Sequence, residues 1–129
     1  MRQPEEEKDM AKKVLVVDDS PTDLQMLSTL LKKQGYDVVT AVDGEDAIAK
    51  AAANHPPLVV LDIILPKKNG FQVCRQLKSS PDTSGIKVIL VSSKNQDSDK
   101  FWGMKQGADD YIGKPYQDEV LLAAIARQL

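Results

Sequence analysis

The stretch Val14–Pro21, VLVVDDSP, is the part of this 129-residue chain whose reading decides the fold. Four apolar, mostly β-branched residues in a row are what a strand buried on both faces requires. The run breaks at two acids. Ser20 then suits a helix cap, with Pro21 in the first turn where a missing N–H costs nothing. Leu24, Leu27, Leu30 and Leu31 recur at helical spacing, and Gly35 closes the helix. The unit is thus strand, acidic joint, helix.

Outward from it, the same alternation continues. Asp37 to Val42 reads as a weaker second strand. Asp43-Gly44 turns into an alanine-rich helix with Ala47, Ile48, Ala51 and Ala52 on its apolar face, stopped by Pro56-Pro57. Leu58 to Leu61 is a third strand ending at Asp62. A loop with Pro66 and Asn69-Gly70 leads to a helix carrying Phe71, Cys74 and Leu77. Val88 to Val91 is the fourth strand and ends at Ser92-Ser93-Lys94. The next helix, about Asp97 to Gly107, holds Gly103 at a cost of about 1 kcal/mol relative to Ala. Tyr111 to Gly113 is a short fifth strand before Lys114-Pro115, and Asp118 can cap a last helix with Leu121, Leu122 and Ile125. Five such units predict an α/β fold, a doubly wound parallel sheet with helices on both faces.

Composition narrows the function. Seventeen Lys and Arg against nineteen Asp and Glu leave a net charge of −2, so no global basic field draws in nucleic acid. One cysteine, Cys74, excludes an internal disulfide or a cysteine-based zinc cluster and fits a reducing cytoplasm. No apolar run approaches the ~18 residues of a membrane span, so no membrane insertion is expected. Residues 1–11 are polar and charged around Pro4, with nothing to bury, and read as a flexible leader. Residues 12–129 read as one domain.

In open α/β sheets ligands bind beyond the carboxyl ends of the strands. Strands one, three, four and five deliver Asp18 and Asp19, Asp62, Ser92 and Lys114 to that edge. Crowded carboxylates repel one another, and a hard divalent cation with room for water, Mg²⁺, relieves the repulsion. An ionised Asp62, alone at the end of the central strand, can then attack phosphorus and form an aspartyl phosphate. Lys114 balances charge on the phosphoryl oxygens, and the Ser92 hydroxyl donates to one of them.

These segments, VLVVDDS from Val14, LDIILPKKNG from Leu61, VILVSS from Val88 and YIGKP from Tyr111, resemble the response-regulator receiver domain in order and spacing over about residues 13 to 129. The resemblance implies a five-stranded CheY-like (flavodoxin-like) sheet of order 2-1-3-4-5 with five helices. It makes Asp62 the phosphoacceptor and Asp18 and Asp19 the Mg²⁺ pair, Asp19 directly and Asp18 largely through water, with the Ile64 backbone carbonyl completing the site. Ser92 and Tyr111 become the switch couple, and Lys114 precedes a proline that is commonly cis. The implied partners are a sensor histidine kinase as phosphodonor and a protein target bound through the fourth helix, fifth strand and fifth helix. The protein would be a monomer or a weak phosphorylation-dependent dimer. The stretch Ser93 to Pro115 further resembles the PilH/PilG-type regulators of twitching motility, which points to type IV pilus motility or to phototaxis or chemotaxis.

The chain stops at Leu129, so the receiver is expected to act as the messenger itself, a cytoplasmic signalling protein rather than an enzyme. Isoleucine at position 64, where many relatives carry a polar residue that orients water, and Lys94 at the other tuning position imply slow loss of phosphate. Rival readings are weaker. A haloacid-dehalogenase-like phosphatase needs a second acid where Ile64 stands, and Asp18-Asp19 would repel a flavin phosphate. A degenerate receiver working as a phosphorylation-independent binding module conflicts with the complete acidic set. Plainer roles are expected elsewhere: helix caps for Asp43 and Asp118, surface loops for His55 and for Lys67-Lys68, and a buried small hydrophobe for Cys74. Of Phe101 and Trp102, adjacent on a helix, one is expected to be exposed.

Overall fold

Every strand of this protein is followed by a helix that lies back against the sheet. The computed structural model describes residues 12–129, so the leader expected over residues 1–11 lies outside it. Among the described residues the order is β1 (Lys13–Val17), α1 (Pro21–Lys33), β2 (Asp37–Ala41), α2 (Gly44–Asn54), β3 (Leu58–Asp62), α3 (Gly70–Ser79), β4 (Lys87–Ser92), α4 (Asp97–Lys105), β5 (Asp110–Gly113) and α5 (Asp118–Gln128). All pairings are parallel and the sheet order is β2-β1-β3-β4-β5, as expected.

Alternation along the strands builds two cores. Leu15 and Val17 of β1, Val59 and Leu61 of β3 and Leu90 of β4 face α2 and α3, where Ala47, Ala51, Val73, Cys74 and Leu77 are buried. Val14, Val16, Val60, Ile89 and Val91 face the other way onto Leu27 and Leu31 of α1 and Leu121, Ala124 and Ile125 of α5. Each fully buried leucine contributes about 1.5–3 kcal/mol, so both sheet faces need their helical cover.

Register does the rest. Val17 pairs with Leu61, so Asp18 and Asp62 leave their strands side by side; Asp62 pairs with Val91, and Ser92 with Gly113, just before Lys114.

Several local signals hold. Ser20 Oγ accepts the Asp23 N–H (3.3 Å) and Asp43 Oδ1 the Asp46 N–H (2.7 Å). His55 is exposed and ends α2 at φ 45°. Others differ. Asp118 does not cap α5: Gln117 holds that position without a side-chain bond, and Asp118 is the first helical residue. Aspartate is favoured at either place, because both put negative charge at the positive end of the helix. Ala52 is exposed rather than part of the α2 face. The fourth helix stops at Lys105, with Gly107 beyond it at φ 99°. Phe101 and Trp102 are both exposed, by 63% and 52%, since among the described residues α4 buries Gly103 alone. The Lys67-Lys68 pair does lie in the surface loop, with Lys67 Nζ exposed 3.8 Å from Asp43 and 3.9 Å from Glu45 and Lys68 Nζ donating to Gln76 Oε1 (3.1 Å).

Candidate functional site

Asp18, Asp19, Asp62, Ser92 and Lys114 all reach one end of the sheet, as the register requires. Asp18 is buried, and its Oδ1 accepts the Ser20 N–H at 3.0 Å; Asp62 Oδ1 accepts the Ile64 N–H at 3.2 Å. In each case a backbone donor two residues on fixes the carboxylate as the chain turns out of the strand. The loop after Asp62 is held by close approach: the Gly70 N–H donates to the Ile63 carbonyl (2.8 Å). A Cβ at Gly70 would sit 2.4 Å from the Asp62 carbonyl oxygen, so no other residue fits there.

Lys114 ties the carboxylates together. Its Nζ donates to Asp18 Oδ2 at 3.1 Å and to Asp62 Oδ2 at 3.2 Å, and its backbone N–H donates to the Ser92 carbonyl at 2.8 Å. The Lys114–Pro115 peptide is cis. Oxygens of Asp18, Asp19 and Asp62 all come within 4.8 Å of one another. Ser92 is fully buried, and its Oγ accepts the Lys94 N–H (3.2 Å). Tyr111 is buried too, its hydroxyl donating to the Lys94 carbonyl. Asn95 Nδ2 reaches the Lys114 carbonyl at 3.5 Å.

Electrostatics follow from this crowding. Burial raises the Asp62 carboxyl above its ordinary value; Lys114 pulls it down and Asp18 pushes it up, with burial prevailing. For Lys114, burial works against the charge, yet Asp62 and Asp18 outweigh it and hold the ammonium above its ordinary value. Burial, with Asp99 and Asp62 adding, pushes the Tyr111 phenol up to about 12. Burial likewise pushes the Cys74 thiol up to about 11, which leaves it an inert part of the core.

The donor set fits a hard cation. Three carboxylates and no soft ligand suit Mg²⁺, and the Asp18–Asp62 pair already holds a positive charge in the Lys114 ammonium. A cleft of ≈ 430 Å³ runs from Asp18, Asp62 and Lys114 along Met26, Leu27 and Tyr116.

The response regulator receiver domain family matches residues 14–126. This chain belongs to that family. Receivers bind Mg²⁺ at an acidic pocket, and the cluster of Asp18, Asp19 and Asp62 could hold such an ion. The chain is similar to Protein PilH of Pseudomonas aeruginosa, 46% identical over 88% of this chain and 93% of that one. It is 45% identical to Protein PilG of the same organism over 88% and 84%. A solved structure of the chemotaxis protein CheY4 of Vibrio cholerae superposes with a TM-score of 0.86 at 31% identity, covering 92% of this chain and 99% of that one.

Within this receiver, the five residues expected from the sequence converge, and Tyr111 lies behind them on β5. Asp23 was not foreseen. Its Oδ2 lies 3.7 Å from Lys114 Nζ, a third carboxylate on one ammonium. In the sequence it reads only as an acid in the first turn of a helix, which the helix dipole alone would explain.

Proposed function

We propose that this receiver takes a phosphoryl group onto Asp62 from a phosphohistidine of a sensor histidine kinase and relays the signal through protein contacts. The observation that carries the reading is the Lys114 ammonium bonded at once to Asp18 and Asp62, with the Lys114 backbone N–H held by the carbonyl of Ser92. Asp62 Oδ attacks phosphorus, the P–N bond breaks, and its electrons return to the imidazole as the mixed anhydride forms. Lys114 then turns its donors from the two carboxylates to the new phosphoryl oxygens, and the Ser92 hydroxyl donates to another. Asp18, Asp19, Asp62 and the Ile64 carbonyl would hold Mg²⁺, which supplies further positive charge to those oxygens.

Drawing the Ser92 hydroxyl toward phosphate takes it from the Lys94 N–H, and the Lys94 carbonyl is what anchors the Tyr111 hydroxyl. The output is then read on the surface of α4, β5 and α5, where Phe101 and Trp102 are exposed. This makes the protein a phosphoacceptor switch with at most slow self-dephosphorylation rather than an enzyme. Its similarity to PilH, 93% of which the chain covers, supports this reading. The regulated process we infer is type IV pilus motility, with the protein working in the cytoplasm. No helix among the described residues is long and apolar enough to cross a membrane.

The test is to label the protein with acetyl phosphate, reduce the acyl phosphate with borohydride and map the product by peptide mass. Reduction is expected at Asp62; a product at Asp18 or Asp19 would reassign the acceptor.

A further inference from the structure

Asp23 stands one turn into α1, and its backbone N–H on Ser20 Oγ (3.3 Å) fixes that turn against the end of β1. Its carboxylate is about half exposed, lines the cleft that leads to Asp62, and lies 3.7 Å from Lys114 Nζ. Lys114 is the cation that must greet an incoming phosphoryl group, and it faces three carboxylates where two would hold it in place.

Asp23 accepts hydrogen bonds but cannot donate one to a phosphoryl oxygen. Its effect on a donor is therefore that of a fixed negative charge. Since one ammonium touches both Asp23 and Asp62, their oxygens lie within about 7 Å of each other, inside the ~8 Å Debye length at physiological salt. At about 7 Å in water, an unscreened unit charge changes the local concentration of a singly charged anion by about threefold, and of a doubly charged one by the square of that factor. Screening and the exposure of Asp23 reduce both figures but preserve their order.

We propose that Asp23 is a specificity-determining residue that discriminates among phosphodonors by their charge, disfavouring small, highly anionic donors at Asp62. The proposal rests on the reading of Asp62 as acceptor. Asp23 acts through the potential at the mouth of the cleft, and it takes no part in bond making.

The experiment measures phosphoryl gain by intact mass against donor concentration, at saturating Mg²⁺ and neutral pH. Acetyl phosphate serves as the doubly charged donor and phosphoramidate as the singly charged one. Asp23→Asn should lower the half-saturating acetyl phosphate concentration by about threefold and that of phosphoramidate by less than about twofold, with maximal rates unchanged. The difference should close in about 0.5 M KCl. Asp23→Glu should restore the discrimination. Asp82→Asn, the same charge change at an exposed site in the α3–β4 loop, should alter neither donor. Equal shifts for both donors, shifts that survive salt, no shift at all, or the same shift in Asp82→Asn would overturn the proposal. Circular dichroism of each variant shows whether the fold is kept. If the wild type gains a phosphoryl group from neither donor, the reading of Asp62 fails first and the proposal falls with it.

Discussion

Asp62 and Lys114 respond unequally to the same contact. Lys114 is held charged by two acids, while burial keeps Asp62 harder to ionise than an ordinary aspartate despite the ammonium 3.2 Å away. Such a site holds a nucleophile that benefits from added positive charge, which is what a phosphoryl acceptor working with a hard cation needs. Two residues on, Ile64 is exposed and offers no side-chain hydrogen bond to an attacking water. Ile64→Asn should therefore shorten the lifetime of the phosphorylated form by about fivefold, the value of one hydrogen bond near 1 kcal/mol. Timing the loss of phosphoryl mass after donor removal checks this, and an unchanged decay would contradict it. At this scale the sequence was informative where a residue ends a strand, because the joint between strand and helix fixes its position. Asp23 was illegible for the opposite reason. Its partner, Lys114, lies far along the chain, and only the completed sheet brings them together.

Among the elements, α4 departs most from its sequence. It lacks an apolar stripe, so periodicity could not say which of Phe101 and Trp102 faces out, and in fact both do. What α4 presents to the sheet is the absence of a side chain. A Cβ at Gly103 would lie 2.9 Å from Tyr111 Cδ2 and 2.9 Å from Leu90 Cδ1. Gly103 is thus the socket for the Tyr111 ring. Its cost of about 1 kcal/mol in helix propensity is the condition for burying that ring. Gly103→Ala should lose about 1 kcal/mol in urea denaturation, overpacking of ~1–3 kcal/mol exceeding the gain in propensity. It should also expose Tyr111, seen as severalfold faster nitration at that residue by peptide mass. A more stable variant with Tyr111 still shielded would remove the socket. The five strands were readable because their runs are short, apolar and β-branched between turn signals. The start of α5 was misread because one aspartate suits both cap and first turn.

For the whole molecule, the buried titrating groups point one way. The Cys74 thiol is pushed from 9.0 up to about 11, the Tyr111 phenol from 10.0 up to about 12, and Lys114 is raised as well. Each holds its proton more tightly folded than unfolded. Each therefore contributes stability that is present below its unfolded pKa and lost as pH rises through the folded value. Stability should be level near pH 8 and fall between about pH 9 and 12, with urea midpoints as the readout. Cys74→Ala and Tyr111→Phe should each flatten that fall, and a midpoint rising with pH across this window would contradict the account. The fold class and the converging strand ends were legible in the sequence because every local signal agreed with the global one, whereas the sheet order came from the family resemblance alone. The cleft beside the site was not, since its walls come from α1 and the segment after β5, which meet only in the folded chain.

The central claim is that the acidic cluster serves a phosphoryl switch at Asp62. Intact mass after incubation with acetyl phosphate, with Mg²⁺ and with EDTA, for wild type and Asp62→Asn, tests it most directly. The account predicts a gain of one phosphoryl group in the wild type that needs Mg²⁺ and is absent in the variant. No gain under conditions that label a control receiver, or an equal gain in Asp62→Asn, would contradict it; the first result would leave a phosphorylation-independent binding module.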